Sequence, residues 1–259
     1  MVGSHRRAAH ALAFAAALLA PASASPALPE CGSACAQADL SCRAAVALCE
    51  AKIHAFELYM RQIDTGRPKY QLPPVYRDVL RPHYPNADLA AVRFAFSDQQ
   101  PPANATTDCN QIYFNDVEYV ETLRAGRPNS KLIWLLHELV HPEQCALAGG
   151  RAGYAKRWWT ELETAMRASG ETIDVFQTTD QLVKQLGALY ARLHDQMPME
   201  RAADAKAEAV IAELRRCCLA PDGTLIRPPA PQRDSSRRRS AIARASLRWP
   251  LAFQCSSSG

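Results

Sequence analysis

The chain has 259 residues, 48% of them hydrophobic and 22% charged, with a formal net charge of +4. That apolar fraction excludes a disordered chain, and the length supports one sizeable core with appendages. So small a net charge gives no basis for a nucleic-acid surface, and no nucleic-acid partner is expected.

The first residues read as an export signal. His5, Arg6 and Arg7 make a basic start, Ala8 to Ala20 is an almost unbroken apolar run, and Pro21-Ala22-Ser23-Ala24 offers a small-residue cleavage site after Ala24. The run is too short to span a bilayer comfortably, and no later segment approaches the necessary length. Residues 1–24 are therefore expected to be a signal peptide. The mature chain is then exported without a membrane span, to a periplasm or the exterior; an uncleaved anchor is the competing reading. All nine cysteines (31, 35, 42, 49, 109, 145, 217, 218 and 255) lie beyond that site. In an oxidising compartment most should pair, with one left over because the count is odd. Cys35, Cys42 and Cys49 recur every seven residues, so a helix puts them on one face, where they suit bridges to other elements. With no C-x-x-C pair in the chain, a cysteine zinc cluster is disfavoured.

The pattern predicts an α+β fold, mainly helical, with a small sheet. Residues 25–66 form a Cys-rich helical segment, with one or two helices over 31–63, and 67–220 form the main domain. Residues 67–88, rich in Pro and Tyr, read as an ordered connector over a surface. Val92 to Phe96 alternates as a strand should. Gln99 to Thr107 reads as a polar, proline-containing loop, with a glycosylation sequon at Asn104-Ala105-Thr106. Ile112, Tyr113 and Phe114 lie in a second strand, Gln111 to Phe114. It is the candidate edge strand for holding an extended peptide by main-chain hydrogen bonds, an ordinary core strand being the alternative. Glu118 to Arg124 suggests a short helix. Ser130 then stands where an N-cap is wanted before a helix over Lys131 to His141, which Pro142 should kink or stop just after His141. Cys145, one turn on, could staple that bend. Beyond Gly149-Gly150, helices are expected over Arg151 to Ala168, Asp180 to His194 and Met199 to Cys217. Residues 221–259 hold seven Arg against Asp222 and Asp234, a net +5, whereas the body from 25 to 220 is near −3. This basic Pro/Ser/Arg tail is expected to be mobile. Its candidate partner is an acidic envelope surface, with a merely solvated end as the bland alternative.

His137-Glu138-Leu139-Val140-His141 carries the chemistry. Two histidines four residues apart share one helical face, so their imidazoles can converge on one zinc ion, and Glu138 sits beside them to take a proton from water. A catalytic zinc generally has three protein ligands. A histidine six residues after His141, with a glycine three residues after it, would complete one known pattern. Here those positions hold Leu147 and Gln144, so that class is excluded. A glutamate from a later helix is the usual alternative for the third ligand, and Glu200 and Glu161 compete. Glu200 is preferred because Asp204, one turn on, could accept a hydrogen bond from a ligand imidazole; Glu161 has Ala165 in that place.

On these residues the chain resembles the gluzincins, the zincin clan of zinc metallopeptidases with two histidines and a glutamate. His137, Glu138 and His141 match the first motif, and Glu200 with Asp204 resembles the second, E-x-x-x-D. Leu135 to Gln144 also resembles a group of bacterial H-E-L-x-H proteins. The resemblance covers roughly residues 90–215. It implies a zincin-like core in which an H-E-x-x-H helix faces a later glutamate-bearing helix. It also implies one catalytic Zn2+, a peptide or protein substrate, and an oxyanion stabiliser for which Tyr154, Tyr190 and His194 are candidates. Two other readings stay open: a non-catalytic zinc protein binding a partner or envelope component, and an envelope adaptor working through its basic tail.

Overall fold

The computed structural model describes residues 39–99, 105–127, 131–173, 178–221 and 223–226. Residues 1–24, expected to be a signal peptide, residues 25–38, Asn104 of the expected sequon, Ser130 and the residues from 227 lie outside the described residues. The fold is α+β and mainly helical.

Helix α1 (Leu40–Ile63) starts at Asp39, whose carboxylate accepts a hydrogen bond from the Cys42 amide at 2.9 Å. Its second half buries Ala55, Phe56, Tyr59, Met60 and Ile63, one stripe at helical spacing. Cys42 and Cys49 on this helix are both disulfide-bonded. The segment expected to be a surface connector is instead part of the core. It folds as β1 (Tyr70–Gln71) and α2 (Pro74–Leu80), and Leu72, Tyr76, Leu80 and Tyr84 are each no more than 2% exposed. Its prolines mark a helix start, where the missing amide costs nothing, and its tyrosines face inward.

Strands β2 (Arg93–Phe96), β3 (Ala105–Asp108) and β4 (Gln111–Phe114) join β1 in one sheet ordered β1-β2-β4-β3. β4 runs parallel to β2 and antiparallel to β3. Ile112, Tyr113 and Phe114 are therefore hydrogen-bonded on both sides, and β4 is an interior strand, not an edge. The edge beside it is β3, which the sequence disguises as loop. Ala105, Thr106 and Thr107 are all buried, so β3 shows no alternation of apolar and polar residues to reveal it. Successive residues of β2 and β4 point to opposite faces. Phe94, Ile112 and Phe114 enter one core with α2, α3 (Val117–Arg124), α4 (Leu132–Glu138) and α8 (Pro198–Cys217). Ala95 and Tyr113 enter the other, with α1, α6 (Arg151–Ser169) and α7 (Thr179–Leu193).

Pro142 acts upstream, not downstream as expected. The helix breaks at Leu139, between α4 and α5 (Val140–Leu147), and continues through the proline. The reason is geometric: a proline ring clashes with the carbonyl four residues earlier, here Glu138, while its own missing amide falls in the first turn of α5, where none is needed. Cys145 is bonded to Cys109 in the β3–β4 turn, so a disulfide ties α5 to the sheet as the sequence suggests. α7 opens with a reciprocal capping box between Thr178 and Gln181. A single 3-10 turn, His194–Gln196, joins it to α8. Beyond α8, Leu225 is buried and bridges Leu219, so the chain up to residue 226 belongs to the fold and the tail begins later than residue 221. Among the described residues no helix is long and apolar enough to cross a membrane.

Candidate metal centre

The site forms where α4, α5, the 3-10 turn and α8 converge. His137 Nε2 lies 3.2 Å from Glu200 Oε2, His141 Nε2 lies 3.3 Å from the same oxygen, and the two nitrogens are 3.3 Å apart. Ligand atoms about 2.0–2.1 Å from one tetrahedral ion are separated by about 3.3 Å, so this triangle has the size of one face of a zinc coordination shell. Glu200 is fully buried, and His141 is 2% exposed.

The hydrogen bonds behind the triangle decide what it can hold. His137 Nδ1 meets Asp204 Oδ1 at 2.8 Å, and His141 Nδ1 meets Gln144 Oε1 at 2.8 Å. Gln144 donates its amide to the Met199 carbonyl at 2.9 Å, which fixes its side-chain oxygen toward the imidazole. Both histidines therefore carry their proton on Nδ1 when neutral and aim an Nε2 lone pair at the Glu200 oxygen. Two lone pairs and a carboxylate within 3.3 Å repel one another unless a cation lies among them. A metal ion supplies that cation, and protons supply it otherwise. Burial opposes the charged form of His141, yet the Glu200 charge outweighs it and pushes that imidazole up to about 9. His194 is likewise pushed to about 9 against its burial, chiefly by its hydrogen bond to Glu200. Burial alone would raise the Glu200 carboxyl, but the imidazoles hold it well below the usual range.

Besides this triangle, among the described residues two overlapping groups have ligand atoms within 4.8 Å of one another: His137, Glu138 and His141, and His137, His194 and Glu200. Glu138 is buried, and the Thr107 hydroxyl of β3 donates to its Oε2 at 2.5 Å, which orients the carboxylate. Asp204 sits where the E-x-x-x-D spacing places it. Glu161 does not reach the site. Its Oε2 accepts from the Met199 amide at 2.6 Å and its Oε1 from Arg157 at 2.8 Å. It thus satisfies a free amide in the first turn of α8 and positions the helix that carries Glu200.

The three candidates for oxyanion stabilisation separate clearly. The Tyr190 hydroxyl donates to Glu200 Oε1 at 2.9 Å, so it holds the ligand carboxylate and is already committed. Tyr154 is 2% exposed, its ring centroid 6.2 Å from that of His141. His194 alone of the three lines the cleft above the site. Its Nδ1 meets Asp195 at 3.0 Å, and its Nε2 lies 3.0 Å from Glu200 Oε2.

Four contributors escape a reading of the sequence. Thr107 is hidden with its strand. Gln144 lies three residues after His141, a spacing that helical geometry could have flagged. Asp195 neighbours its histidine in a 3-10 turn, which has no periodicity to read. Glu208, one turn after Asp204, lines the cleft. That cleft holds about 430 Å³ and is walled also by Ile133, Trp134 and Ala207. The chain matches no family model, no curated protein and no solved structure.

Proposed function

We propose that the protein is an exported zinc metallopeptidase of zincin-like build. The observation that carries this reading is the equilateral arrangement of two Nε2 atoms and one carboxylate oxygen, with a buried, oriented glutamate beside it and an open cleft above. His137, His141 and Glu200 would hold the ion. Zinc, when bound, supplies Lewis acidity toward a water and a carbonyl oxygen. Glu138 takes the proton of the attacking water and returns it to the leaving amine, with Thr107 keeping the carboxylate turned toward the cleft. His194, at the cleft wall with its Nδ1 held by Asp195, donates to the developing oxyanion. The edge strand β3, whose Ala105 lines the cleft, takes over the peptide-holding role that the sequence suggests for β4. Export rests on the basic and apolar residues 1–24 together with the Cys109–Cys145 disulfide.

The experiment is a cleavage map of a diverse peptide library, read by mass spectrometry, for the oxidised protein and Glu138→Gln. The expected result is cleavage by the unmodified protein, and retained zinc with turnover reduced by about 100-fold or more in the variant. An active Glu138→Gln protein would end the mechanism.

A second reading has one observation behind it. The 3.0 Å approach of His194 Nε2 to Glu200 Oε2 would let His194 act as a fourth protein ligand, which closes the site and makes the metal structural. His194→Ala separates the two readings. An oxyanion donor loses kcat and keeps its metal, whereas a fourth ligand loses metal affinity.

A further inference from the structure

The cleft is acidic as well as open. Four carboxylates line it: Glu138, Asp195, Asp204 and Glu208. Among its described lining residues there is no lysine or arginine. Two of these carboxylates have partial duties, Asp204 on His137 and Asp195 on His194, yet their side chains remain 60% and 94% exposed. Each therefore still presents negative charge to an incoming ligand. Glu208 is different. It is exposed, stands one turn from Asp204 on the same face of α8, and no partner within the described residues engages it. The nearby cation on Trp134, Lys131, is tied to Asp116 and does not line the cleft.

The lining also has apolar residues. Ile133 and Trp134 on α4 and Ala207 on α8 face the same space. A slot with an aliphatic and aromatic wall and carboxylates at its rim fits a long side chain with a hydrophobic stem and a cationic head. Like-signed charges along the walls of a cleft also focus the field within it, favouring cationic ligands and rejecting acidic ones.

We propose that the cleft selects peptides carrying a lysine or arginine beside the scissile bond, with Glu208 as the residue that reads the cation. This specificity rests on the peptidase reading for its place in a reaction, but binding tests it without turnover. The probes are fluorescein-labelled alanine hexapeptides with one central lysine, leucine or glutamate, titrated by anisotropy against the zinc-loaded, oxidised full chain carrying Glu138→Gln. The lysine peptide should bind about tenfold more tightly than the leucine peptide, the glutamate peptide should bind most weakly, and added salt should narrow the differences. Adding Glu208→Gln should shrink the lysine preference. Adding Glu208→Lys should place the glutamate peptide above the lysine peptide, with zinc content unchanged because Glu208 touches no ligand. Equal binding of the three peptides, no binding of any, or a preference that Glu208→Lys leaves in place would overturn the proposal. If the preference is found while the protein with Glu138 intact cuts none of the three, the selectivity stands and the peptidase reading falls.

Discussion

The two walls of the site are built on opposite principles. On the inner side, Glu200, His141, Gln144 and Tyr190 are buried and joined by hydrogen bonds of 2.8–2.9 Å behind the ligand atoms. On the outer side, Asp195, Asp204 and Glu208 stand in solvent at the rim of the cleft. A buried carboxylate beside two lone pairs is tolerable only with a cation present, a metal ion or protons, so the inner wall fixes where that positive charge sits. The exposed carboxylates carry little cost of desolvation and impose little geometry. On the proposal above, they set the sign of what approaches. On the proposed reading, recognition of metal and recognition of ligand are separated by burial.

Breaking the inner wall should have the largest effect. Glu200→Ala removes the oxygen shared by all three imidazoles and should reduce zinc affinity by more than about 100-fold, beyond what loss of an orienting residue costs. Equilibrium competition with a chelator measures it. Asp204→Ala sits at the border between the walls, because its carboxylate fixes His137 from a half-exposed position. Its cost should be about 10–100-fold in zinc affinity, with the secondary structure intact by circular dichroism. The smallest step, taken per pH unit, is graded rather than mutational. Because His141 is raised to about 9 without metal, at neutral pH it holds a proton that must leave before its lone pair can bind. Apparent zinc affinity should therefore climb as pH rises toward about 9, by about tenfold per pH unit for each proton displaced, and then level off. Calorimetry in buffers of different ionisation enthalpy counts the protons released. Affinity flat between pH 6 and 9 would contradict the pairing of His141 with Glu200.

Legibility in the sequence divides along helix and sheet. The H-E-x-x-H spacing and the Glu200–Asp204 spacing are helical, and a helix turns sequence distance into a shared face. These residues can be named in advance. Glu161 is a fair rival on type and distance, and nothing local reveals that its carboxylate caps α8 through Met199. The sheet is harder to read because strand order is set by pairing between distant segments. β4 looks like an edge or a core strand equally, and only the pairing of β3 with it decides. β3 itself is buried yet polar, since Thr107 points a hydroxyl at Glu138. That contact with Glu138 replaces the alternation that marks an ordinary strand. Asp195 is hidden by its turn, where neighbouring residues carry no face. The Pro142 break is foreseeable in kind and misplaced in position, because the ring clashes with the carbonyl of Glu138 and leaves the residues after the proline helical.

The central claim is that one ion is bound by His137, His141 and Glu200, and zinc K-edge X-ray absorption of the purified, oxidised protein tests it most directly. The account predicts about one zinc per chain with a first shell of nitrogen and oxygen at about 2.0–2.1 Å and imidazole outer-shell scattering, reduced in Glu200→Ala. A protein that binds no zinc, or a shell dominated by sulfur at about 2.3 Å, would contradict it.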